Sequence, residues 1–268
     1  MNTGPGSPQT EWRTLRFETI DSTSEEARRR ALGGDPGPLW VIAEAQTAGR
    51  GRRGRSWASP RGNLYASALI VDPCETAQAA ELGFVAGVAL AEAARAHGAP
   101  ARLKWPNDLL IGGGKCAGLL VDGLHVPGRG LACVVGIGVN CAEAPEGVGY
   151  PTAALVDGEG RPVAAEALFG TLRLRFAAAL SLWRRGRNFT AIREAWLAHA
   201  GPIGERIRVS GPSGRQEGTF GGLDLHGRLL FRGEQEIEPI ETADLWILPP
   251  SDGAPDAECS ATVGEGRS

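Results

Sequence analysis

The most informative stretch of the sequence is residues 39–71, LWVIAEAQTAGRGRRGRSWASPRGNLYASALIV. Its two ends, residues 39–45 and 64–71, are short apolar runs typical of buried β-strands. Between them lies a long loop whose centre, residues 49–55, has the sequence GRGRRGR. Because strands hold this loop at both ends, we expect it to lie against a folded core.

The composition of residues 49–55 predicts a site for a small anion. Its glycines let main-chain N–H groups approach a ligand closely, and its arginines offer paired donors for phosphate or carboxylate. So many like charges repel one another, and a bound anion would relieve that repulsion. Two other interpretations stay open: a solvated flexible loop, and an Arg/Gly segment that binds RNA.

Outward from this stretch the pattern alternates between strands and helices. A strand near residues 15–20 is followed by two overlapping capping-box patterns, Ser22 with Glu25 and Thr23 with Glu26, so a helix should begin there. The remaining helices are predicted at residues 76–97, 168–183 and 189–196, and the remaining strands at 102–105, 109–111, 116–121 and 131–137.

After residue 200 the pattern changes to short strands separated by glycine-containing turns, which predicts a small β-barrel over residues 201–248. Residues 1–12 and 249–268 lack periodicity and are predicted to be disordered tails. We therefore predict an α+β protein with two domains. A mixed β-sheet packed with helices occupies residues 13–200, and the barrel follows it.

Composition excludes several classes of protein. A chain of 268 residues with 42% hydrophobic and 22% charged residues is ordinary for a soluble protein. No apolar run approaches the roughly 20 residues that span a bilayer, and no signal peptide is visible, so the cytoplasm is expected. The scattered cysteines and histidines lack metal-ligand spacing. A formal net charge of −3 argues against general affinity for nucleic acids.

The two lysines mark a second candidate site. Among 28 basic residues only Lys104 and Lys115 are lysines, and they lie close together. A lysine kept against an arginine bias indicates a place where guanidinium cannot replace a compact ammonium. In the KWPND sequence that begins at Lys104, Asn107 and Asp108 are either turn residues or, for Asp108, a ligand for Mg²⁺. The glycine turn before Lys115 should bring it back near Asp108.

Five motifs together resemble those of bacterial biotin–protein ligases, in order and in approximate spacing. They are Asp21-Ser22-Thr23, residues 44–55 (EAQTAGRGRRGR), residues 104–108 (KWPND), Lys115-x-x-Gly118 and residues 136–140 (GIGVN). Taken alone, GIGVN is explained as well by a tight exit from a strand as by a ligand contact. The resemblance covers residues 15–248 and is to the class that lacks an N-terminal DNA-binding domain. It implies a class II synthetase-like catalytic domain of the biotin/lipoate ligase type and an SH3-like barrel.

The resemblance also implies roles for individual residues. Arg52 and Lys115 are the implied catalytic residues, and Asp108 is the implied Mg²⁺ ligand. The implied biotin-binding residues are Ser22, Thr23, Ser24, Gln46, Gly49, Arg50, Gly51, Arg52, Lys115 and Gly118. The implied nucleotide-binding residues are Arg52, Arg55, Trp57, Asn107 and Asn140, with residues 141–155 as a loop that orders over the adenylate.

Two places depart from the family pattern. Ser24 stands where the family usually has Asn, which puts the rim of the biotin pocket in question. Residues 241–245 (ETADL) replace a more usual Gly-Asp or Gly-Glu turn, which puts the role of the barrel in question.

By resemblance the chain is expected to form biotinyl-5'-AMP from biotin and ATP with Mg²⁺, and then to biotinylate a lysine of a biotin carboxyl carrier domain. Neither DNA nor a membrane is expected as a partner, and the chain is expected to be a monomer or a homodimer. Three alternative functions are less consistent with the sequence. The GRGRRGR loop disfavours a lipoate–protein ligase, the net charge disfavours a nucleic-acid binder, and intact Arg52 and Lys115 disfavour a biotin sensor without catalysis.

Overall fold

The two apolar runs beside residues 49–55, which we call the arginine loop, are antiparallel neighbours in a seven-stranded sheet. The computed structural model describes residues 11–211, 214–233 and 236–248. The strands of this sheet are β1 Arg13–Ile20, β2 Leu39–Gln46, β3 Leu64–Val71, β4 Arg102–Lys104, β5 Asp108–Ile111, β6 Gly114–Val126 and β7 Gly130–Val139.

The sheet is mixed, as the sequence predicts. Its order is β1-β2-β3-β7-β6-β5-β4. Strands β1 and β2 pair in parallel, and the other neighbours pair antiparallel. The β6–β7 hairpin extends several residues beyond its predicted ends, because cross-strand pairing continues as far as Val126 and Gly130.

Helices cover both faces of this sheet. They are α1 Thr23–Leu32, α2 Leu82–Ala96, α3 Ala165–Trp183 and α4 Phe189–His199. Successive side chains of a strand point to opposite faces, and in β2 Leu39 and Val41 pack in the small core beneath α1. Trp40 and Ile42 pack in the large core that contains α2, α3 and α4.

The predicted helix over residues 76–97 is two elements. Thr76–Glu81 is a 3-10 helix and α2 follows it. Since no residue of Thr76–Glu81 is buried, packing provides no apolar face to hold this segment as an α-helix.

Among the described residues, the segment Thr76–Ala96 is the one helix that is long and apolar enough, by length and composition, to cross a membrane. An 18-residue window of it has a mean hydropathy of 1.2, and 56% of that window is buried inside the fold. Its apolar character has a structural explanation, because α2 has ten buried residues and packs against α3, α4 and the sheet. A helix buried on several sides is apolar on several sides.

The first helix begins at the first of the two predicted capping patterns. The side chain of Ser22 accepts a hydrogen bond from the main-chain N–H of Glu25, at 3.4 Å. The Ser22 main-chain N–H donates to the Asp21 carboxylate at 2.7 Å, and not to the Glu25 carboxylate as in a complete capping box. The cap is therefore one-sided, and the Glu25 carboxylate is left to pair with Arg28 and Arg50.

Replacing Ser22 by Ala is expected to lower the free energy of unfolding by about 1 kcal/mol, because the N–H of Glu25 loses its partner. Urea denaturation without ligands measures this loss. Ser22→Asn is the matched control, since Asn also caps helices, and it should keep most of the stability. Equal stability of Ser22→Ala and the wild type would contradict the capping role.

The chain passes to a second sheet between His199 and Arg206. Its strands are β8 Arg206–Gly211, β9 Gly214–Leu223, β10 Leu229–Arg232, β11 Ile237–Ile240 and β12 Asp244–Ile247. The order is β11-β10-β9-β8-β12, with antiparallel neighbours throughout. This small antiparallel sheet is compatible with the predicted barrel. The domain boundary at residue 201 stays a prediction.

The predicted tails lie mostly outside the described residues, since residues 1–10 and 249–268 are not among them. Trp12, at the end of the first predicted tail, is an exception. Its ring lies 5.3 Å from that of Trp40 and 5.8 Å from that of Phe176. Trp12 therefore packs with the folded domain, because this large aromatic side chain gains contact area with the core.

Candidate active site

A cavity of about 220 Å³ opens where the main sheet, the arginine loop and β12 meet. Most of the predicted site residues line it: Ser22, Thr23, Ser24, Gln46, Arg50, Gly51, Arg52, Arg55, Trp57, Asn107, Asp108, Lys115 and Gly118. Residues from four separate stretches of sequence, 22–24, 46–57, 107–108 and 115–118, are thus brought to one place.

A second cavity, of about 410 Å³, adjoins the first and is lined by the other two predicted residues, Gly49 and Asn140. The two cavities have lining residues in common: Gln46, Ser56, Trp57, Lys115 and Tyr150. Lys115 therefore lies beside both cavities. A junction of this kind suits a reaction between two bound molecules.

Both lysines of the chain bind one carboxylate. Lys104 Nζ lies 2.9 Å from Asp108 Oδ2, and Lys115 Nζ lies 2.7 Å from Asp108 Oδ1. The β5–β6 hairpin causes this arrangement, since Gly112 and Gly113 turn with φ of 56° and 82° and return Lys115 to Asp108. The predicted proximity is confirmed. The Lys115 contact is an ion pair without aligned hydrogen-bond geometry.

The geometry at Asp108 does not fit the predicted Mg²⁺ ligand. Its side chain is 9% exposed, and an ammonium group faces each carboxylate oxygen within 3 Å. Two cations already in place repel a third. In the described part of the chain no group of three His, Cys, Asp or Glu side chains could hold a metal ion. Asp108 instead fixes the positions of the two lysines.

Main-chain hydrogen bonds give the arginine loop a defined conformation. Gly51 N–H donates to Arg55 O at 2.7 Å, and Trp57 N–H donates to Gly49 O at 3.0 Å. A short 3-10 turn, Arg52–Gly54, forms the tip.

Most of the loop arginines already have carboxylate partners, which reduce the mutual repulsion expected from the sequence. Arg50 pairs with Glu25 of α1. Arg53 and Arg55 pair with Asp244 of β12, at 3.0 and 2.7 Å. Long-range folding supplies these two carboxylates, which offset part of the charge of the four arginines.

Arg52 differs from the other loop arginines because its described hydrogen-bond partners are neutral. Its guanidinium donates to Asn107 Oδ1 at 3.2 Å and to Thr242 Oγ1 at 3.1 Å. Burial lowers the pKa of the Arg52 guanidinium, and the charge of Arg53 lowers it further. A half-buried cation with neutral partners gains most from an arriving anion.

A cluster of hydroxyl groups lies at the sheet end of the first cavity. Ser67 Oγ of β3 is 2.8 Å from Thr23 Oγ1 and 3.0 Å from Ser24 Oγ. Gln46 Oε1 accepts from the N–H and the hydroxyl of Thr23. Ser67 was not among the predicted site residues. The sequence did contain an indication of its role, because Ser67 is a hydroxyl residue inside an otherwise apolar strand, where a buried polar group needs hydrogen-bond partners.

The glycines of strands β6 and β7 make room for Trp57. A Cβ at Gly138 would lie 2.7 Å from Trp57 Nε1, and one at Gly118 would lie 3.0 Å from the same indole. A Cβ at Gly136 would lie 2.7 Å from Ser24 Oγ. The indole therefore packs across the sheet glycines, where it lines both cavities. Its implied role in binding the nucleotide stays a prediction.

Asn140 has a structural role at the exit of β7, which agrees with one of the two interpretations left open for GIGVN. Its amide donates to the main-chain carbonyls of Lys115 and Ala153, at 3.4 and 3.3 Å. Residues 151–153 also bond to the main chain of Lys115, which donates to Pro151 O at 2.8 Å. Asn140 thus fastens the predicted adenylate loop beside the lysine.

The loop also contributes an aromatic side chain, Tyr150, that was not predicted. Lys115 Nζ lies 5.5 Å from its ring centroid and 5.6 Å from that of Trp57. The ammonium is thus bounded by two aromatic rings and the Asp108 carboxylate. These contacts favour a compact cation over a planar guanidinium.

Comparison with known proteins identifies the family. The sequence model of the "Biotin/lipoate A/B protein ligase family" matches residues 17–140. A biotin--[acetyl-CoA-carboxylase] ligase of Paracoccus denitrificans is 40% identical over 239 residues, which cover 85% of this chain and 97% of that protein. The chain belongs to the biotin protein ligase family.

Two further comparisons agree with this assignment to the biotin protein ligases. The biotin--[acetyl-CoA-carboxylase] ligase of Mycobacterium tuberculosis is 33% identical over 230 residues, covering 82% of this chain and 84% of that protein. A solved biotin protein ligase from Aquifex aeolicus in complex with biotin and ATP superposes with a TM-score of 0.75 at 26% identity. The superposition covers 88% of this chain and 99% of that chain, so the predicted fold class is confirmed.

In this biotin protein ligase the KWPND motif joins the catalytic sheet to the second sheet. Lys104 Nζ donates to Leu245 O at 3.0 Å, and the Trp105 indole donates to Gly227 O at 3.1 Å. Gly227 must be a glycine because a Cβ there would lie 2.7 Å from Phe84. The second sheet is therefore bound to the same motif that positions Lys115.

The departure at residues 241–245 lies at the cavity of this biotin protein ligase. Asp244 accepts hydrogen bonds from two loop arginines, and the hydroxyl of Thr242 accepts one from Arg52. Burial raises the pKa of the Asp244 carboxyl, but the bond from Arg55 and the nearby arginine charges outweigh it and lower the pKa overall. Asp244 was not among the predicted site residues, because its partners lie far away in sequence.

Proposed function

We propose that this chain is an ATP-dependent biotin–protein ligase. It joins biotin and ATP into biotinyl-5'-AMP, releases pyrophosphate, and transfers the biotinyl group to a lysine of a biotin carboxyl carrier domain. The observation that carries the proposal is the position of Lys115, which lines two adjoining cavities in a chain 40% identical to a biotin--[acetyl-CoA-carboxylase] ligase.

In the first half-reaction a biotin carboxylate oxygen attacks the α-phosphorus of ATP, and the bond to the β-phosphate oxygen breaks. Both reactants are anionic, so the protein must neutralise charge and align them. Lys115, at the junction of the cavities, would contact the carboxylate and the α-phosphate. Arg52 would exchange its neutral partners for a phosphate oxygen. Asp108 would hold the Lys115 ammonium in place.

Biotin and nucleotide would occupy different parts of the site. The hydroxyl and amide groups of Ser22, Thr23, Ser24 and Gln46 suit the ureido ring of biotin, which both donates and accepts hydrogen bonds. The nucleotide would extend past Trp57 toward Asn107 and the second cavity. Magnesium enters with the substrate as MgATP, since the geometry at Asp108 does not fit a protein-bound ion.

In the second half-reaction the amine of a carrier lysine attacks the carbonyl carbon of the mixed anhydride. The bond to the phosphate oxygen breaks and AMP leaves with it. Water would destroy the anhydride, so the arginine loop and residues 141–155 have a physical reason to cover it. Cys74, Cys116, Cys133 and Cys141 take no part, because all are buried and burial raises their thiol pKa values.

We place the reaction in the cytoplasm. Those four cysteines are free, which is compatible with a reducing compartment.

Mass spectrometry of a carrier domain tests the proposed function. The domain is incubated with the protein, biotin and MgATP, and one biotinyl group should appear on a single lysine. Omitting biotin or MgATP is the matched control. An unmodified carrier in the complete mixture would overturn the proposal.

Biotin and ATP together should raise the melting temperature several degrees more than ATP alone, because a ligand that binds only the folded state stabilises it. At about a thousand times its dissociation constant such a ligand adds about 4 kcal/mol. Differential scanning fluorimetry measures the shift. An equal response to lipoate and to biotin would favour a lipoate–protein ligase instead.

A further inference from the structure

The second sheet contributes one carboxylate to the arginine loop. Asp244, the first residue of β12, accepts Arg53 Nη1 on Oδ2 at 3.0 Å and Arg55 Nη2 on Oδ1 at 2.7 Å. Each oxygen therefore binds one arginine of the same loop. Two residues earlier, Thr242 binds Arg52 at 3.1 Å. Three loop arginines are thus held by one short segment of the second sheet.

The loop backbone is bent to allow this arrangement. Arg53 has φ 57° and ψ 32°, in the left-handed region that a side chain other than glycine rarely adopts. Gly54 follows with φ 72°. With this bend the side chains of Arg53 and Arg55 bind Asp244, whereas the side chain of Arg52 binds Asn107. An unfavourable backbone conformation persists only where the surrounding contacts maintain it.

These ion pairs are strong enough to bias the loop and weak enough to release it. The side chains of Arg53, Arg55 and Asp244 are 43%, 56% and 31% exposed, so water and salt screen them. A loop that admits substrates and releases AMP must open in every cycle. Partly exposed ion pairs permit such opening, whereas a buried apolar contact would oppose it.

We propose that Asp244 is a positioning residue of the ligase: it seats the arginine loop through Arg53 and Arg55, so that Arg52 faces the cavity and the activated intermediate is retained. Asp244 acts through the arginines and takes no part in bond making. The inference rests on the proposed function for its catalytic consequence. The seating of the loop itself can be tested without any activity.

Limited trypsin digestion tests the seating in the protein without ligands. Cleavage at Arg53 and Arg55 should be about fivefold faster in Asp244→Asn than in the wild type, since two surface ion pairs are lost. Asp244→Glu should restore resistance. Glu217→Gln is the matched control, because Glu217 pairs with Arg208 in the same sheet. Equal cleavage of Asp244→Asn and Glu217→Gln would overturn the proposal.

Retention is tested with biotin, MgATP, a carrier domain and a lysine-rich bystander protein. Asp244→Asn should label the bystander about fivefold more per carrier labelled, with a raised KM for ATP and little change in kcat. Arg53→Gln combined with Arg55→Gln should give the same defect, and adding Asp244→Asn should not increase it. At an ionic strength of about 1 M the screening length falls to about 3 Å, so the ion pairs of Asp244 are weakened. The wild type and Asp244→Asn should then label the bystander to the same extent.

The outcomes separate the two proposals. If the wild type leaves the carrier unlabelled, the proposed function fails, while the trypsin result still decides whether Asp244 seats the loop. If the wild type labels the carrier and Asp244→Asn matches it in bystander labelling, Asp244 does not retain the intermediate. Additive defects of the arginine and Asp244 variants would likewise overturn the inference.

Discussion

Lys115→Arg is expected to lose about a hundredfold or more in the rate of biotin-dependent pyrophosphate release, although it keeps its positive charge. Lys115 Nζ is bounded by the Asp108 carboxylate at 2.7 Å and by the rings of Trp57 and Tyr150 at 5.6 and 5.5 Å. A guanidinium is planar, larger and less able to act as a point charge between carboxylate and phosphate.

The control for this prediction is Arg16→Lys, the reverse exchange at an exposed residue of β1 that pairs with Glu166. It should leave pyrophosphate release unchanged. Melting temperatures of both variants establish that they fold. Near-normal pyrophosphate release by folded Lys115→Arg would remove this residue from the reacting centre.

Arg52→Gly is expected to separate the two half-reactions. Glycine leaves the main chain of the loop in place, and Arg53 and Arg55 still bind Asp244. The loop would lose the arginine whose described partners are neutral, and with it a charge-assisted bond to phosphate of about 1.5–3 kcal/mol. Adenylate should still form in part and then escape about tenfold to a hundredfold faster.

The escaped anhydride acylates lysines without regard to sequence, so a lysine-rich bystander should become biotinylated. The ligase itself should label weakly, because its two lysines both pair with Asp108. A streptavidin blot of the bystander, with ATP consumption measured in parallel, tests this. A variant that consumes ATP but labels the bystander no more than the wild type would mean that Arg52 does not retain the intermediate.

The arginine loop illustrates how far sequence reasoning reaches. Its position between two strands and its contact with a cavity follow from the local pattern of residues 39–71. Its charge balance does not, because Glu25 and Asp244 come from opposite ends of the chain. The repulsion inferred from composition is therefore offset only in part, and it still acts on Arg52, whose pKa is lowered by burial and by the charges of Arg53 and Arg55. The conclusion that Arg52 differs from its neighbours required the folded structure.

For Asp108 too, the sequence predicted one contact but not the full set of neighbours, although those neighbours are close along the chain. Its proximity to Lys115 follows from a glycine turn between two strands, and the hairpin confirms it. Carboxylate chemistry alone also fits Mg²⁺, and the sequence does not say that Lys104 takes the second oxygen. That contact depends on the close pairing of β4 and β5, where Lys104 stands opposite Asp108.

The sequence predicts the succession of strands and helices and the mixed sheet followed by small strands, because hydrophobic periodicity, capping and turn residues act over a few neighbours along the chain. Most of the site residues that gather at the cavity were implied by the resemblance to the family. The folded structure was needed to show which charges pair, that Lys115 lines both cavities, and that Asp244 of the second sheet holds the arginine loop. Such contacts join residues that are distant in sequence, and packing alone determines their distances.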